Sequence, residues 1–326
     1  MSFAGDTQAV VIGLNAAIVA MIGDAPHVLA VRHVVPDAAK GVRPERDGLP
    51  FGPFEPFGHR TLEAGMRSWV LGQTGMEIGY AEQLYTFGDR GRHDVKSGEG
   101  PRVVSVGYLA LIRAQDHPPA PETHWRDWYG FFPWEDWRER RPSVIDEVIQ
   151  PRLKAWATGN AARWERARLC FAFDALPWDE EKTLERYELL YEAGLVAEAR
   201  QDGRASAQEM TAELGQPMIF DHRRILATAI GRLRGKLKYR PVVFELMPPE
   251  FTLLELQRTV EAISGARVHK QNFRRLVESG GLVEGTGRMS ARAKGRPAEK
   301  FRFRREVLRE RPAPGVKLTA ARGRKT

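Results

Sequence analysis

The stretch from Phe251 to Phe303 constrains this chain more than any other, because successive periodicities in it dictate successive pieces of one small fold. In FTLLELQRTVEAISG, Leu253, Leu256, Val260 and Ile263 recur at helical spacing and make one apolar stripe. Thr252 is placed to cap that helix and Gly265 to end it. A second helix follows in ARVHKQNFRRLVESGG. With Phe273, Leu276 and Val277 turned inward, the step of about 100° per residue aims Gln271 and Arg275 away from the core. Asn272 and Arg274 fall on the flanks, and Lys270 sits at the start. The segment LVEGTGRMSARAKGRPAEKFRFR then reads as a hairpin, with Phe301 and Phe303 inward, Arg302 and Arg304 outward, and Arg288, Arg292, Lys294 and Arg296 at its tip.

Helix, turn, polar helix and basic hairpin together predict a winged helix-turn-helix. The chemistry of the exposed side chains suits duplex DNA. Gln or Asn pairs with adenine through two hydrogen bonds and Arg with guanine, while Lys270 is placed for a phosphate. Lys294-Gly295-Arg296-Pro297 resembles the core of an AT-hook, an extended arm for A·T-rich minor grooves, whose enhanced negative potential attracts arginine. The charge distribution agrees. From Arg232 to Thr326 there are 24 Lys+Arg against 9 Asp+Glu, a balance of +15, whereas the whole chain of 326 residues carries only +8. A basic end on an acidic body is the footprint of a polyanion-binding unit joined to a unit with another task.

That other unit reads as mixed α/β. Residues 8–35 hold two β-rich runs split by Gly23-Asp24, a hairpin signal. Residues 36–59 are expected to be loop. Thr61 to Thr74 is predicted helical, capped by Thr61 and stopped by Gly75, with Leu62, Met66, Trp69 and Val70 on one face. Strands are expected at 82–87 and 103–112. Seven aromatics crowd residues 125–137, and a further helix is expected over 143–157, with Ser143 and Asp146 as a capping box. Residues 160–240 are mostly helical in pattern. LERYELLYEAGLVAEA has leucines and tyrosines at helical spacing, DHRRILATAIGRLRGKL has Ile225, Ala229, Leu233 and Leu237 on one stripe, and either helix offers a face for a dimer interface. The tail after Gly315 is expected to be disordered without DNA.

The N-terminus lacks a signal-peptide pattern and no apolar run approaches the ~20 residues of a bilayer span. The one cysteine, Cys170, excludes an internal disulfide and any Cys-cluster metal site, and its apolar setting RLCFAF suits a packed thiol. The histidines show no metal-ligand spacing. A cytosolic, nucleoid-associated protein is expected.

The phrases FDHRRILATAIGRLRGKLKYRPVVFELMPPEFTLLELQRTVEAI, NFRRLVESGGLVEGTG and GRPAEKFRF resemble the Nudix-related transcriptional regulators of NAD metabolism, the NrtR family. EQLYTFGDRGR and RVVSVGYLAL resemble the strands that follow the Nudix helix there, and the LPFGPFEP loop with the aromatic block looks most like the alphaproteobacterial NadQ branch. The resemblance implies a homodimeric repressor of NAD biosynthesis or salvage genes that senses a nucleotide-type metabolite. An active Nudix box carries Gly, five residues, Glu, seven residues, then Arg-Glu-apolar-X-Glu-Glu-X-Gly, whose carboxylates hold Mg²⁺ against a diphosphate. Aligned on Thr74-Gly75, this chain has Ser68 at the Arg position, Trp69 at the first Glu, and Gly72 and Gln73 at the paired Glu positions; Arg60 stands at the upstream Glu, and only Glu63 remains nearby. No catalytic residues, metal or cofactor are therefore expected, and the protein is expected not to be an enzyme.

The expected fold class is α+β. It comprises an N-terminal Nudix-like α/β domain with a degenerate Nudix box (1–157), a helical connector (158–217), a C-terminal winged helix-turn-helix (218–305) and a basic flexible tail (306–326). For the effector, Arg32, His33, Asp89, Arg90, Arg92 and Arg102 offer phosphate-binding or polar contacts, since arginine pairs with phosphate through parallel hydrogen bonds. Tyr85, Tyr108 or an aromatic of 125–137 offers a surface for adenine. ATP, NAD⁺ and ADP-ribose are the candidate effectors, and a palindromic double-stranded operator, A·T-rich if the AT-hook resemblance holds, is the expected DNA partner. Two other readings stay open: a Nudix-type nucleotide-diphosphate hydrolase with a DNA-binding appendage, and a basic scaffold that binds DNA without sequence preference.

Overall fold

The computed structural model describes residues 10–34, 45–89, 101–114, 120–203, 214–290, 297–310 and 315–316. Arg90, Arg92, Arg292, Lys294 and Arg296 lie outside the described residues.

Gly23 takes φ 59° and turns β1 (Val10–Ile22) into β2 (Ala25–Val34), as the Gly-Asp pair predicts. These strands anchor a mixed sheet with β3 (Glu45–Gly48), β4 (Phe51–Pro53), β5 (Tyr80–Phe87), β6 (Arg102–Leu111) and β7 (Thr123–Asp127). The main order is β3-β2-β1-β6-β5, with β4 paired to β1 and β7 to β2. β1 and β6 run parallel, from Val10 opposite Arg102 to Val19 opposite Leu111. Part of the region expected to be loop is therefore strand: β3 and β4 are short, and their pairing with β2 and β1 comes from partners distant in sequence.

Side chains alternate across the sheet. Leu14, Ala16, Ile18, Ala20, Val106, Tyr108 and Ala110 face α1 (Leu62–Thr74). That helix has the predicted bounds and caps: Thr61 Oγ1 accepts from the Ala64 amide, and Gly75 closes the end at φ 69°. Ala17, Val19, Val28, Leu109 and Leu111 face the other way, onto the aromatic block and the helices beyond it. Within that block Trp128, Tyr129, Phe131, Phe132 and Trp134 are buried, each ring contributing roughly 2–3 kcal/mol of burial. None of these five is available to stack on a ligand.

The connector holds α2 (Gln150–Trp156), α3 (Ala161–Phe171), α4 (Thr183–Glu192) and α5 (Ala197–Gln201). The helix expected from 143 starts differently: a π-helical turn at Ile145–Ile149 precedes α2, and Val144 before that turn supplies no side-chain cap. Asp146 instead receives both hydrogen bonds of the Arg141 Nε–H at 3.0 Å, so the capping box does not form.

α6 (His222–Leu237) carries Ile225, Ala229, Leu233 and Leu237 on one stripe as the spacing implies. All four are buried in the chain's own core, against the sheet and α4, and so are not free for a dimer partner. A boundary at residue 218 has no counterpart in this packing, because one apolar cluster runs from the sheet through α4 and α6 into the C-terminal unit. That unit comprises β8 (Phe251–Thr252), α7 (Leu253–Ser264), α8 (Lys270–Ser279), β9 (Val283–Met289) and β10 (Glu299–Phe303), with sheet order β8-β10-β9. After the wing, 307–310 form a helical turn around buried Val307, and the Val316 amide donates to the Leu237 carbonyl at 2.8 Å. Among the described residues no helix is long and apolar enough to cross a membrane.

Candidate nucleic-acid interface and nucleotide-domain site

α7 begins with a full capping box. Thr252 Oγ1 accepts from the Glu255 amide at 3.2 Å, and the Glu255 carboxylate accepts from the Thr252 amide at 2.8 Å. Gly265, at φ 73°, then reverses the chain into α8. Phe273 and Val277 are buried beneath α8, whereas Lys270, Gln271, Asn272, Arg274 and Arg275 are all exposed. The side chains that would read or grip DNA thus stand on one open face, with their apolar neighbours holding the helix in place. Arg288, on the wing, is 73% exposed and reaches Glu250 at 3.1 Å. Arg302 projects outward beside Glu284, as the alternation predicts. Arg304 does not project outward. β10 ends at Phe303, and the Arg304 guanidinium turns back to the Gly281 carbonyl (2.9 Å) and to Glu310. Arg267, which periodicity did not single out, is also exposed beside the start of α8, and its membership of the basic segment was the available signal.

Against the sheet, the residues of α1 aligned with the Nudix box bind the backbone of β4. Gln73, standing where a metal-binding carboxylate would be, accepts from the Phe51 amide at 3.1 Å and donates to the Phe51 carbonyl at 2.7 Å. Trp69 Nε1–H donates to the Pro53 carbonyl at 2.8 Å. Both therefore staple α1 to β4. Gly52 permits this close approach, since a Cβ there would lie 2.1 Å from the Trp69 ring. The surviving Glu63 accepts from Arg67 at 2.8 Å. Among the described residues no group of three His, Cys, Asp or Glu side chains converges to hold a metal ion.

The strand register gathers four of the candidate effector residues at one end of the sheet. β6 begins at Arg102 opposite Val10, β2 ends at Val34, and β5 ends at Phe87 opposite Ser105. Arg32, His33, Asp89 and Arg102 therefore share an end. Arg32 is exposed and pairs with Glu45 at 3.2 Å, and Arg102 donates to the Gly88 carbonyl at 2.8 Å. Asp89 is engaged by Arg224 at 2.5 Å, so its carboxylate is compensated by a protein cation. Tyr85 is 61% exposed and edge-on to Phe87. Tyr108 is a correction: at 2% exposure it is part of the core under α1, with burial first and the Glu63 carboxylate second raising its phenol above the ordinary range.

His33 packs against Phe51 at 5.4 Å, and its Nε2 is buried with no hydrogen-bond partner among the described residues. Burial pushes this imidazole below its ordinary range, partly opposed by the Asp47 and Glu122 carboxylates. The start of α6 closes the same end, where His222 Nδ1 accepts from the Leu49 amide at 2.9 Å.

A cleft of about 630 Å³ lies elsewhere, between Arg113 just past the opposite end of β6, Phe244, Met247 and the wing. Its arginines 113, 302 and 305 are matched by glutamates 245, 284 and 306, so it offers no excess charge for a phosphate group.

A mixed sheet with a stapled helix on one face, continued by a helix-turn-helix and wing, defines a Nudix-type fold joined to a DNA-binding module. The solved structure of Shewanella oneidensis NrtR with a 27mer DNA has this fold, at a TM-score of 0.54 and 19% identity over 91% of this chain and 95% of that one. A MutT/nudix family protein from Enterococcus faecalis also has it, at 0.51 and 16% identity over 92% of this chain and 88% of that one. Residues 243–303 match the NrtR DNA-binding winged helix domain. The Acinetobacter baylyi protein described as the ADPR-responsive transcriptional repressor NtrR is 42% identical over 86 residues, which span 26% of this chain and about a third (34%) of that relative.

Proposed function

We propose that this chain is a DNA-binding transcriptional repressor of NAD biosynthesis or salvage genes, governed by a nucleotide that its Nudix-like domain binds without cleaving. The observation that carries the reading is the open face of α8. An NrtR-type winged helix presents Lys270, Gln271, Asn272, Arg274 and Arg275 to solvent, while Phe273 and Val277 lock the helix from behind. In this reading those side chains enter a major groove. Arg288 lies beside the path of the backbone, and the wing-tip residues Arg292, Lys294 and Arg296 reach an adjoining, A·T-rich minor groove. A homodimer of such modules would bind a palindrome whose half-sites lie about one helical turn, or a multiple, apart. The protein works in the cytoplasm, on the nucleoid.

ADP-ribose is the favoured effector among ATP, NAD⁺ and ADP-ribose, a choice supported by the response named for the Acinetobacter relative. The sheet end that carries Arg32, His33 and Arg102 is its proposed site. Absence of hydrolysis is supported by the occupants of the box: Gln73 and Trp69 bind backbone atoms, and Glu63 by itself does not supply the carboxylate set that holds metal on a diphosphate. The test is selection of duplexes from a random pool, footprinting of the winner, and titration of the complex with each nucleotide. A discrete palindromic footprint weakened or strengthened by one nucleotide is expected. Uniform protection without a discrete site favours the scaffold reading. Turnover of ADP-ribose with Mg²⁺ favours the hydrolase reading.

A further inference from the structure

An α-helix leaves its last carbonyls without intrahelical donors. In α7 the Glu261 carbonyl is met locally, by the Gly265 amide and the Ser264 hydroxyl, but the carbonyls of Ala262, Ile263 and Gly265 are met by donors from outside the winged helix. Tyr129 Oη–H donates to the Ala262 carbonyl at 2.7 Å, Arg234 Nε–H to Ile263 at 2.9 Å, and the Trp137 amide to Gly265 at 2.7 Å. One residue pair extends this junction toward α8: Arg267 Nε–H donates to the Arg138 carbonyl at 3.1 Å while its Nη1 reaches Glu261 at 2.8 Å. The turn that sets the angle of the DNA-reading helix is thus gripped by the aromatic block and by α6.

The grip is rigid. Glu135, 1% exposed, joins Arg234 at 2.5 Å and Arg186 through two hydrogen bonds of 2.5 and 2.8 Å, which ties α6, α4 and the aromatic block at one buried point. α6 then runs back along the sheet antiparallel to β5. Its last turns meet the start of β5, where Lys236 Nζ bonds the Tyr80 hydroxyl at 3.0 Å. Its first turn meets the opposite sheet end through His222 to Leu49 and Arg224 to Asp89. Its 16 residues span about 24 Å. One straight element therefore touches both the sheet end assigned to the nucleotide and the turn before the reading helix.

We infer that Tyr129, Arg234 and Arg267 are positioning residues that couple the nucleotide-binding end of the sheet to the orientation of α8, with α6 as the rod between them. The inference rests on the proposed function and adds to it the route of regulation. Coupling requires a ligand to bind the two orientations unequally, and a helix fixed at both ends carries a shift at one end to the other.

The test uses the full chain, the selected duplex and ADP-ribose. Operator affinity is measured by fluorescence anisotropy with and without the nucleotide, for wild type, Tyr129→Phe and Arg267→Gln. Tyr129→Phe keeps the ring and removes only the hydroxyl, which donates to the Ala262 carbonyl and accepts from Arg234 Nη2 at 3.5 Å. Arg267→Gln changes a side chain that is 58% exposed, and its buried partner Glu261 keeps the Gln257 side chain and the Val268 amide as donors. Each variant is expected to bring the ADP-ribose-dependent change in Kd down by about fivefold, the ratio one lost hydrogen bond carries. Exchange of the Trp137 amide, protected by Gly265, is expected to speed up. A direct DNA contact by Arg267 would weaken binding in both nucleotide states and leave the ratio alone. Wild-type ratios in both variants, with unchanged Trp137 exchange, overturn the inference. A wild type indifferent to ADP-ribose overturns the functional reading instead, while faster Trp137 exchange in the variants then still supports the grip itself.

Discussion

Replacing Gly265 by alanine isolates how tightly the turn before α8 is held. The residue sits at φ 73°, and a Cβ there would lie 2.3 Å from the Glu135 carbonyl oxygen, 2.9 Å from Arg234 Nη2 and 3.0 Å from Tyr129 Oη. A left-handed backbone costs a non-glycine residue about 1–2 kcal/mol. Overlap with a carbonyl that is itself fixed in the core adds about 1–3 kcal/mol, the usual range for overpacking. Gly265→Ala is therefore expected to destabilise by about 2–5 kcal/mol. Gly75→Ala is the internal control. Gly75 caps α1 at a similar φ of 69°, but nothing lies within 4 Å of its added Cβ, so only the backbone component of about 1–2 kcal/mol applies. Urea unfolding of both variants, compared at unchanged m-value, reads the difference directly. Gly265→Ala should exceed Gly75→Ala by about 1–3 kcal/mol. Equal losses would refute the claim that the body of the protein closes around this turn.

Arg275→Ala should cost about 1–3 kcal/mol in operator binding and relax preference at one base position, whereas Lys270→Ala should weaken binding evenly across sequences; competition assays with base-substituted duplexes separate the two. Gln73→Glu should not confer hydrolysis of ADP-ribose. It sets a carboxylate oxygen against the Phe51 carbonyl in place of a donor, so the urea midpoint should fall by the equivalent of about 1–3 kcal/mol. His33 is held below its ordinary pKa of about 6.5 mainly by burial. Between the lowered folded value and that ordinary value the unfolded chain binds more protons, so stability rises with pH there and is lost as pH falls through the window. His33→Asn should flatten that part of the stability-versus-pH curve, and an unchanged slope would count against the burial. Cys170 is 7% exposed, and burial raises its thiol above the ordinary range, so native protein should react with a disulfide reagent far more slowly than urea-unfolded protein.

The amino-acid sequence by itself determined those features whose causes lie within a few residues. Thr61 and Gly75 delimit α1, Thr252, Glu255 and Gly265 delimit α7, and the spacing of Phe273 and Val277 decides which face of α8 reaches solvent. Capping, turn conformation and helical periodicity are local, so they can be read in order along the chain. Tertiary structure decided what depends on distant partners. Tyr108 and the aromatics of the 125–137 block, legible as rings suited to a ligand, are packed against helices from other parts of the chain. Gln73 is seen to be a staple only once Phe51, 22 residues away, lies beside it. Glu135, Arg186 and Arg234 are unremarkable charges in the sequence, separated by 51 and 99 residues from their common carboxylate. Folding makes them one buried junction, because a charge removed from water must find its counter-charge wherever in the chain it lies.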